Sequence, residues 1–351
     1  MRADPADSGS ALANLTPACF AMVMATGIVS LAARLHGWQA LALALFALNI
    51  VAWVVLGVLT ALRAVRHPQR FFGDLGDHLR GPGFFTAVAG TAVLGSQFAL
   101  FGTSSAAAAA LFALAALLWL VLTYAIFTLL TIKAHKPPLE RGISGGWLLA
   151  VVATQSLAVL GAILAAHTGQ PWKLELNFFA LSMWLWGGML YIWMISLIFY
   201  RYTFLRFAAS DLTPPYWINM GAMAISTLAG ALLIVNAPEA PFLAAVLPFL
   251  KGFTILYWAT GTWWIPMLLV LAGWRYFHQR FPVRYDPLYW GAVFPLGMYS
   301  TATHEMAAAL QLPFLGPVPS VFLAAALLAW AAVFAGLVRQ LLRLARPAAT
   351  H

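Results

Sequence analysis

The sequence predicts an all-α integral membrane protein. It reads as ten transmembrane helices forming five repeated helical hairpins, within a single transmembrane domain over residues 1–351. Three observations carry that expectation. Of the 351 residues, 63% are hydrophobic and 8% charged, whereas a soluble domain is about one quarter charged. The mean hydropathy of +0.86 is concentrated in apolar runs long enough to cross a bilayer. The same kind of opening then recurs at the head of alternate runs.

Taken in order, the runs cover about 15–34, 38–62, 83–101, 106–132, 143–166, 176–200, 213–236, 248–274, 287–310 and 318–340. The first opens LTPACF, the third RGPGFF, the seventh DLTPPYW and the ninth RYDPLYW. In three of these a capping residue stands directly before proline: Thr16–Pro17, Thr213–Pro214 and Asp286–Pro287. Such a residue can hold the exposed amides of a helix start, and proline fits the first turn, where its missing N–H costs nothing. Runs seven and nine share proline-x-Tyr-Trp at 214–217 and 287–290. Run five lacks the proline and begins RGISGGW. The period reads as a hairpin repeated five times, with each copy starting on the same side.

The two members of each hairpin differ in texture. Odd runs hold small and hydroxyl residues, among them Thr26 and Gly27, Gly90 and Thr91, Thr154, and Gly221. Even runs are bulky and aromatic, as in LFALAALLWLVLTYAIFTLL from Leu111 to Leu130. Small residues let helices approach closely or line a cavity, while bulky apolar faces suit lipid. Five inner helices ringed by five outer ones are therefore expected, with Thr26, Gly27, Gly90, Thr91, Thr154, Gly221, Met298 and Thr301 as candidate pore-lining residues.

The net charge of +9 is topological rather than a sign of nucleic-acid binding. If the N-terminus is cytoplasmic, sixteen basic residues fall on that side, from Arg2 through Arg63, Arg70, Arg80, Arg201, Arg275 and Arg284 to Arg346. Only Arg34, Lys173 and Lys251 fall on the other. That bias places both termini in the cytoplasm, and Ala- and Leu-rich spans fit a bacterial inner membrane. A polar start containing Asp4 and Asp7, before a long first run, argues against a cleaved signal peptide. The one cysteine, Cys19, excludes a disulfide framework. HEMAA at 304–308 lacks the second histidine of a zinc-protease helix. No metal, cofactor or enzymatic cluster is expected.

Almost no ionisable residue lies deep in a span, which counts against a proton- or sodium-coupled carrier. Arg34 and Glu305 are candidates for an outer mouth, with His304, Glu175, Glu239 and Lys251 also at outer ends. The inner helices all start on the basic side, so their positive dipole ends converge there and favour anions. Arg63, Arg66, Arg70 and Arg80 are expected to add to that attraction. Pro295, near the middle of run nine, removes a backbone bond to Gly291 and predicts a kink. Helical spacing puts Gly291, Phe294, Met298, Thr301 and Glu305 on one stripe. If that stripe faces a pore, Phe294 is its candidate gate.

FAMVMATGIVS (20–30), YWATGTWWIPMLLV (257–270) and YDPLYWGAVFPLGMYSTAT (285–303) resemble the tellurite-resistance/dicarboxylate transporter family, which includes fungal malate permeases and plant slow anion channels. The resemblance covers the whole chain, and VFPLGMY is its most specific part. It implies a homotrimer with one pore per subunit and a phenylalanine occluding each pore midway; carried onto this chain, that residue is Phe294. It also implies small-anion transport, of C4-dicarboxylates such as malate or of chloride or nitrate, with a possible link to tellurite resistance. Two departures stand out. Run five lacks the opening proline, and the cytoplasmic tails are too short for the regulatory regions of plant members.

Overall fold

The computed structural model describes residues 11–283 and 285–345; Arg2, Asp4, Asp7, Arg284 and Arg346 lie outside the described residues. All regular structure among the described residues is helical. The long helices are α1 (Ala21–Leu35), α2 (Gln39–Arg66), α3 (Phe85–Leu100), α4 (Ser105–Ile132), α5 (Leu149–Ala166), α6 (Trp172–Phe204), α7 (Ile218–Asn236), α8 (Leu247–Gly273), α9 (Trp290–Leu310) and α10 (Pro317–Ala345). Among the described residues, nine of these, with their flanking turns, are long and apolar enough to cross a membrane. The exception is α9, where Ser300, Thr301, Thr303, His304 and Glu305 dilute the apolar content.

A single turn of 3₁₀ helix precedes each odd-numbered helix: Pro17–Phe20, Gly81–Phe84, Gly145–Leu148, Pro214–Trp217 and Pro287–Tyr289. The opening repeat is thus a structural unit, and the proline-less copy adopts it too. There the Ser144 hydroxyl accepts from the Gly146 amide at 3.3 Å. Gly145 is required at that place, since a Cβ would lie 2.5 Å from the Pro215 carbonyl oxygen and the Tyr216 Cα of the next turn. Thr16 caps the Ala18 amide at 3.3 Å, and Asp286 caps Leu288 at 2.8 Å. Thr213 does not act as the expected cap. Its natural partner is residue 215, a second proline with no N–H, and the Tyr216 amide is already held by the Thr213 carbonyl at 3.0 Å.

The odd helices close a ring, α1 on α3, α3 on α5, α5 on α7, α7 on α9 and α9 back on α1. Each even helix packs on its own hairpin partner and on the next inner helix, and α10 completes the circuit by reaching α1. Burial separates the two classes. In the apolar windows of the first four inner spans, 78–94% of residues are buried, against 11–39% in the outer ones. One tryptophan per outer helix fastens it to the following inner helix. Trp53 donates to Thr91 (2.9 Å), Trp119 to Thr154 (2.8 Å), Trp184 to the Ser226 carbonyl (2.8 Å), Trp258 to Thr303 (3.0 Å) and Trp330 to Thr26 (3.0 Å). Away from water each indole N–H needs such a partner, so these bonds set how the outer ring is rotated about the inner one.

Candidate functional site

The opening turns give the inner helices a common register. Counted from Pro17, Pro82, Gly145, Pro214 and Pro287, equivalent positions fall in five-membered layers. Eleven residues on lie Ile28, Val93, Ser156, Ile225 and Met298; fourteen on lie Leu31, Ser96, Val159, Leu228 and Thr301; eighteen on lie Leu35, Leu100, Ile163, Leu232 and Glu305. All fifteen line a single cavity of about 180 Å³, and Arg34 is its one further lining residue. The cavity therefore lies on the axis of the inner ring, in the half away from the opening turns.

The layer next toward those turns, seven residues on, comprises Met24, Ala89, Val152, Gly221 and Phe294. Every one is buried, and Phe294 is 0% exposed. Spacings of four, three and four residues return to one helical stripe, so Phe294 stands one turn beneath Met298, in the layer below those that line the cavity. Helix α9 runs unbroken through Pro295. The proline ring is seated on Gly221 of α7, where a Cβ would lie 2.7 Å from Pro295 Cγ. A larger residue there would push away the backbone that carries Phe294.

The cavity is apolar with a few hydroxyls and two ionisable residues at its rim, Arg34 and Glu305. No ion pair joins those two among the described residues; the Arg34 guanidinium instead lies 4.8 Å above the Phe101 ring. His36 and His304 approach with ring centroids 6.0 Å apart. Ser96, Ser156 and Thr301 each donate to a carbonyl one turn back, Ala92 (3.0 Å), Val152 (2.7 Å) and Gly297 (3.2 Å). These three residues line the cavity while their hydroxyl protons are engaged, and turning one hydroxyl toward an anion exchanges one hydrogen bond for another.

Of the residues singled out from sequence, Met298, Thr301, Arg34 and Glu305 meet in this cavity. Gly221 and Phe294 share the sealed layer, and Gly291 lies one turn lower against Pro215 and Ile218. Thr26, Thr91 and Thr154 all sit nine residues from their openings and are turned outward to the tryptophans of the outer ring. Gly27 packs toward Val93, Asn49 and Gln97, and Gly90 toward Phe20 and Val23. These five are helix–helix contacts rather than cavity lining, a correction with a simple cause: small and hydroxyl residues serve both purposes. The signal that would have separated them is the register from the opening turns.

At the other end, the arginines expected to attract anions are partly neutralised. Arg63 is buried and paired with Asp74 at 2.5 Å, and Arg80 joins the same carboxylate at 2.7 Å. Arg63 also donates to the Ala13 carbonyl, and Arg70 to Asn14. Their first effect is to tie the chain before α1 to the α2–α3 connection.

Comparison with known proteins agrees in kind. The SLAC1 family model, described as voltage-dependent anion channel, matches residues 14–338. A membrane protein of Mycobacterium tuberculosis, itself uncharacterized, is 36% identical over 152 residues, covering 43% of this chain and 77% of that protein. An uncharacterized transporter of Methanocaldococcus jannaschii is 24% identical, covering 84% of this chain and 85% of its own length. A sulfite efflux pump of Trichophyton rubrum is 24% identical across 94% of this chain and 91% of the pump.

Proposed function

The chain belongs to the SLAC1 family of voltage-dependent anion channels, and from that premise we propose that it passes small anions along the axis of its inner ring, with Phe294 as the plug. The observation that carries the reading is the register: three full layers of the ring enclose a cavity, and the next layer, all of it buried, holds Phe294 as its largest side chain. A wall without charge below its rim offers a weak field and few tight contacts, which suits rapid passage of an anion shedding part of its water. All ten helices cross the membrane in this reading. The basic end, with both termini, faces the cytoplasm of a bacterial inner membrane, consistent with the distribution of Arg and Lys. Three copies would assemble, each with its own pore.

The substrates proposed are C4-dicarboxylates such as malate, or inorganic anions such as chloride and nitrate. Tellurite and sulfite belong in the same trial, the latter because one relative is named a sulfite efflux pump. The scarcity of carboxylates on the axis favours passive movement, since Glu305 at the rim is the one acidic residue among the cavity's lining. Flux into liposomes, driven by an anion gradient with and without a pH gradient, tests this reading. Passive conduction predicts uptake set by the anion gradient alone. Uptake that requires the proton or sodium gradient would instead establish a coupled carrier.

A further inference from the structure

Three buried arginines end outer helices or follow them directly, at Arg63, Arg201 and Arg275. The last two lie in a local repeat that sequence reading passed over: Arg201-Tyr202 followed by Arg206-Phe207, and Arg275-Tyr276 followed by Arg280-Phe281. In both copies the guanidinium lies over the phenylalanine six residues on, at 5.3 Å for Phe207 and 4.1 Å for Phe281. The first copy is compensated. Arg201 donates at 2.6 Å to both the Ile143 carbonyl and the Tyr216 hydroxyl, and Asp211 lies 3.7 Å away. Arg63 likewise has Asp74.

Arg275 has no such partner. It is 6% exposed, and its Nε and Nη1 are buried without a hydrogen bond. No carboxylate pairs with it among the described residues. The acid nearest its own opening turn, Asp286, is used to cap Leu288, whereas Asp211 in the other copy is left to pair with Arg201. A buried cation without a counter-charge is strongly unfavourable, and a ring face offsets only part of that.

Arg275 lines a cavity of about 30 Å³ between the starts of α7 and α9, together with Thr213, Tyr276, Tyr289 and Ala292. The Tyr276 and Tyr289 hydroxyls bond each other at 2.8 Å, which leaves one of the two O–H groups free to donate elsewhere. Thr213 is released for the same task by Pro215, which gives it no amide to cap. The volume suits one water-sized particle or a monatomic ion, and is too small for a dicarboxylate.

We propose that this cavity is a second anion site, holding a halide-sized monovalent anion on Arg275, Thr213 and the tyrosine pair. The site stands apart from the axial cavity and clamps the opening turns of α7 and α9, the two helices that carry Gly221 and Phe294. Its existence does not depend on Phe294 being a plug, and it is read by binding rather than by flux.

The experiment is thermal unfolding of the full-length protein in detergent, titrating sodium chloride against sodium gluconate at constant sodium. The wild type should gain stability saturably with chloride. Arg275→Met should lose that dependence, while melting in gluconate no lower than the wild type, because an uncompensated buried cation has gone. Thr213→Val should weaken the apparent chloride affinity about fivefold, the scale of one neutral hydrogen bond. Arg201→Met, which breaks a compensated copy, should lower stability in both salts and keep the chloride response. A wild type indifferent to chloride, or an Arg275→Met protein that still responds to it, would overturn the site. If Arg275→Met does not fold, the wild-type titration and Thr213→Val decide, and an unshifted affinity in the latter rejects the proposal.

Discussion

The two halves of the inner ring are built from the same repeat yet behave differently. Toward the opening turns, the layer of Met24, Ala89, Val152, Gly221 and Phe294 is closed, and the turns below it touch around a complete circle. Away from them the same five helices enclose a cavity of about 180 Å³. The difference lies in what each layer holds. Below, close approach is enforced by glycine and proline, as where Pro295 rests on Gly221 and Gly145 lies under Tyr216. Above, branched aliphatic side chains such as Ile28, Ile225 and Leu228 line the space that the five helices leave between them. A narrow end and a wide end thus go with different residues at equivalent positions, with no change of fold.

Four substitutions sharpen that contrast. The largest loss of stability is expected for Gly145→Ala in the narrow end. The new Cβ would fall 2.5 Å from backbone atoms that have no side-chain freedom to yield, at a cost of about 3 kcal/mol. Chemical denaturation of the reconstituted protein measures it. Next is Trp119→Phe, which leaves Thr154 without its donor and should cost about 1 kcal/mol. That change acts on the outer ring and should spare the cavity.

Two smaller effects belong to the wide end. Glu305→Gln removes the negative charge at the rim and should raise anion flux by about twofold to fivefold at low ionic strength. The gain should fade as salt screens the rim. Thr301→Val keeps the side-chain shape and loses a hydroxyl whose bond runs only to its own helix. Its stability should stay within about 0.5 kcal/mol of the wild type, with a change confined to the order in which anions pass. A large loss of stability there would mean that the cavity is not open space.

Much of this was legible in the sequence, and particular residues show why some was not. The recurring Thr-Pro and Asp-Pro openings announced the hairpins because helix starts leave a local chemical mark. The stripe through Met298, Thr301 and Glu305 was readable from helical spacing alone. Thr26, Thr91 and Thr154 were misread because their partners are indoles on other helices, and a hydroxyl carries no sign of the direction it faces. Thr213 was misread as a capping side chain, since the second proline removes the amide it would have capped. Arg275 could not be told from Arg201, because pairing depends on which carboxylate is already engaged in three dimensions.

The measurement that bears most directly on the account is anion conductance of wild type and Phe294→Ala, by voltage clamp or liposome flux, with chloride, nitrate and malate at two pH values. Removing the one aromatic ring from the sealed layer should raise conductance by about tenfold or more, which corresponds to lowering the barrier by about 1.4 kcal/mol, with little dependence on pH. A folded Phe294→Ala protein whose flux is unchanged, or follows the proton gradient, would contradict the plug and leave the ring as packing beside Pro295.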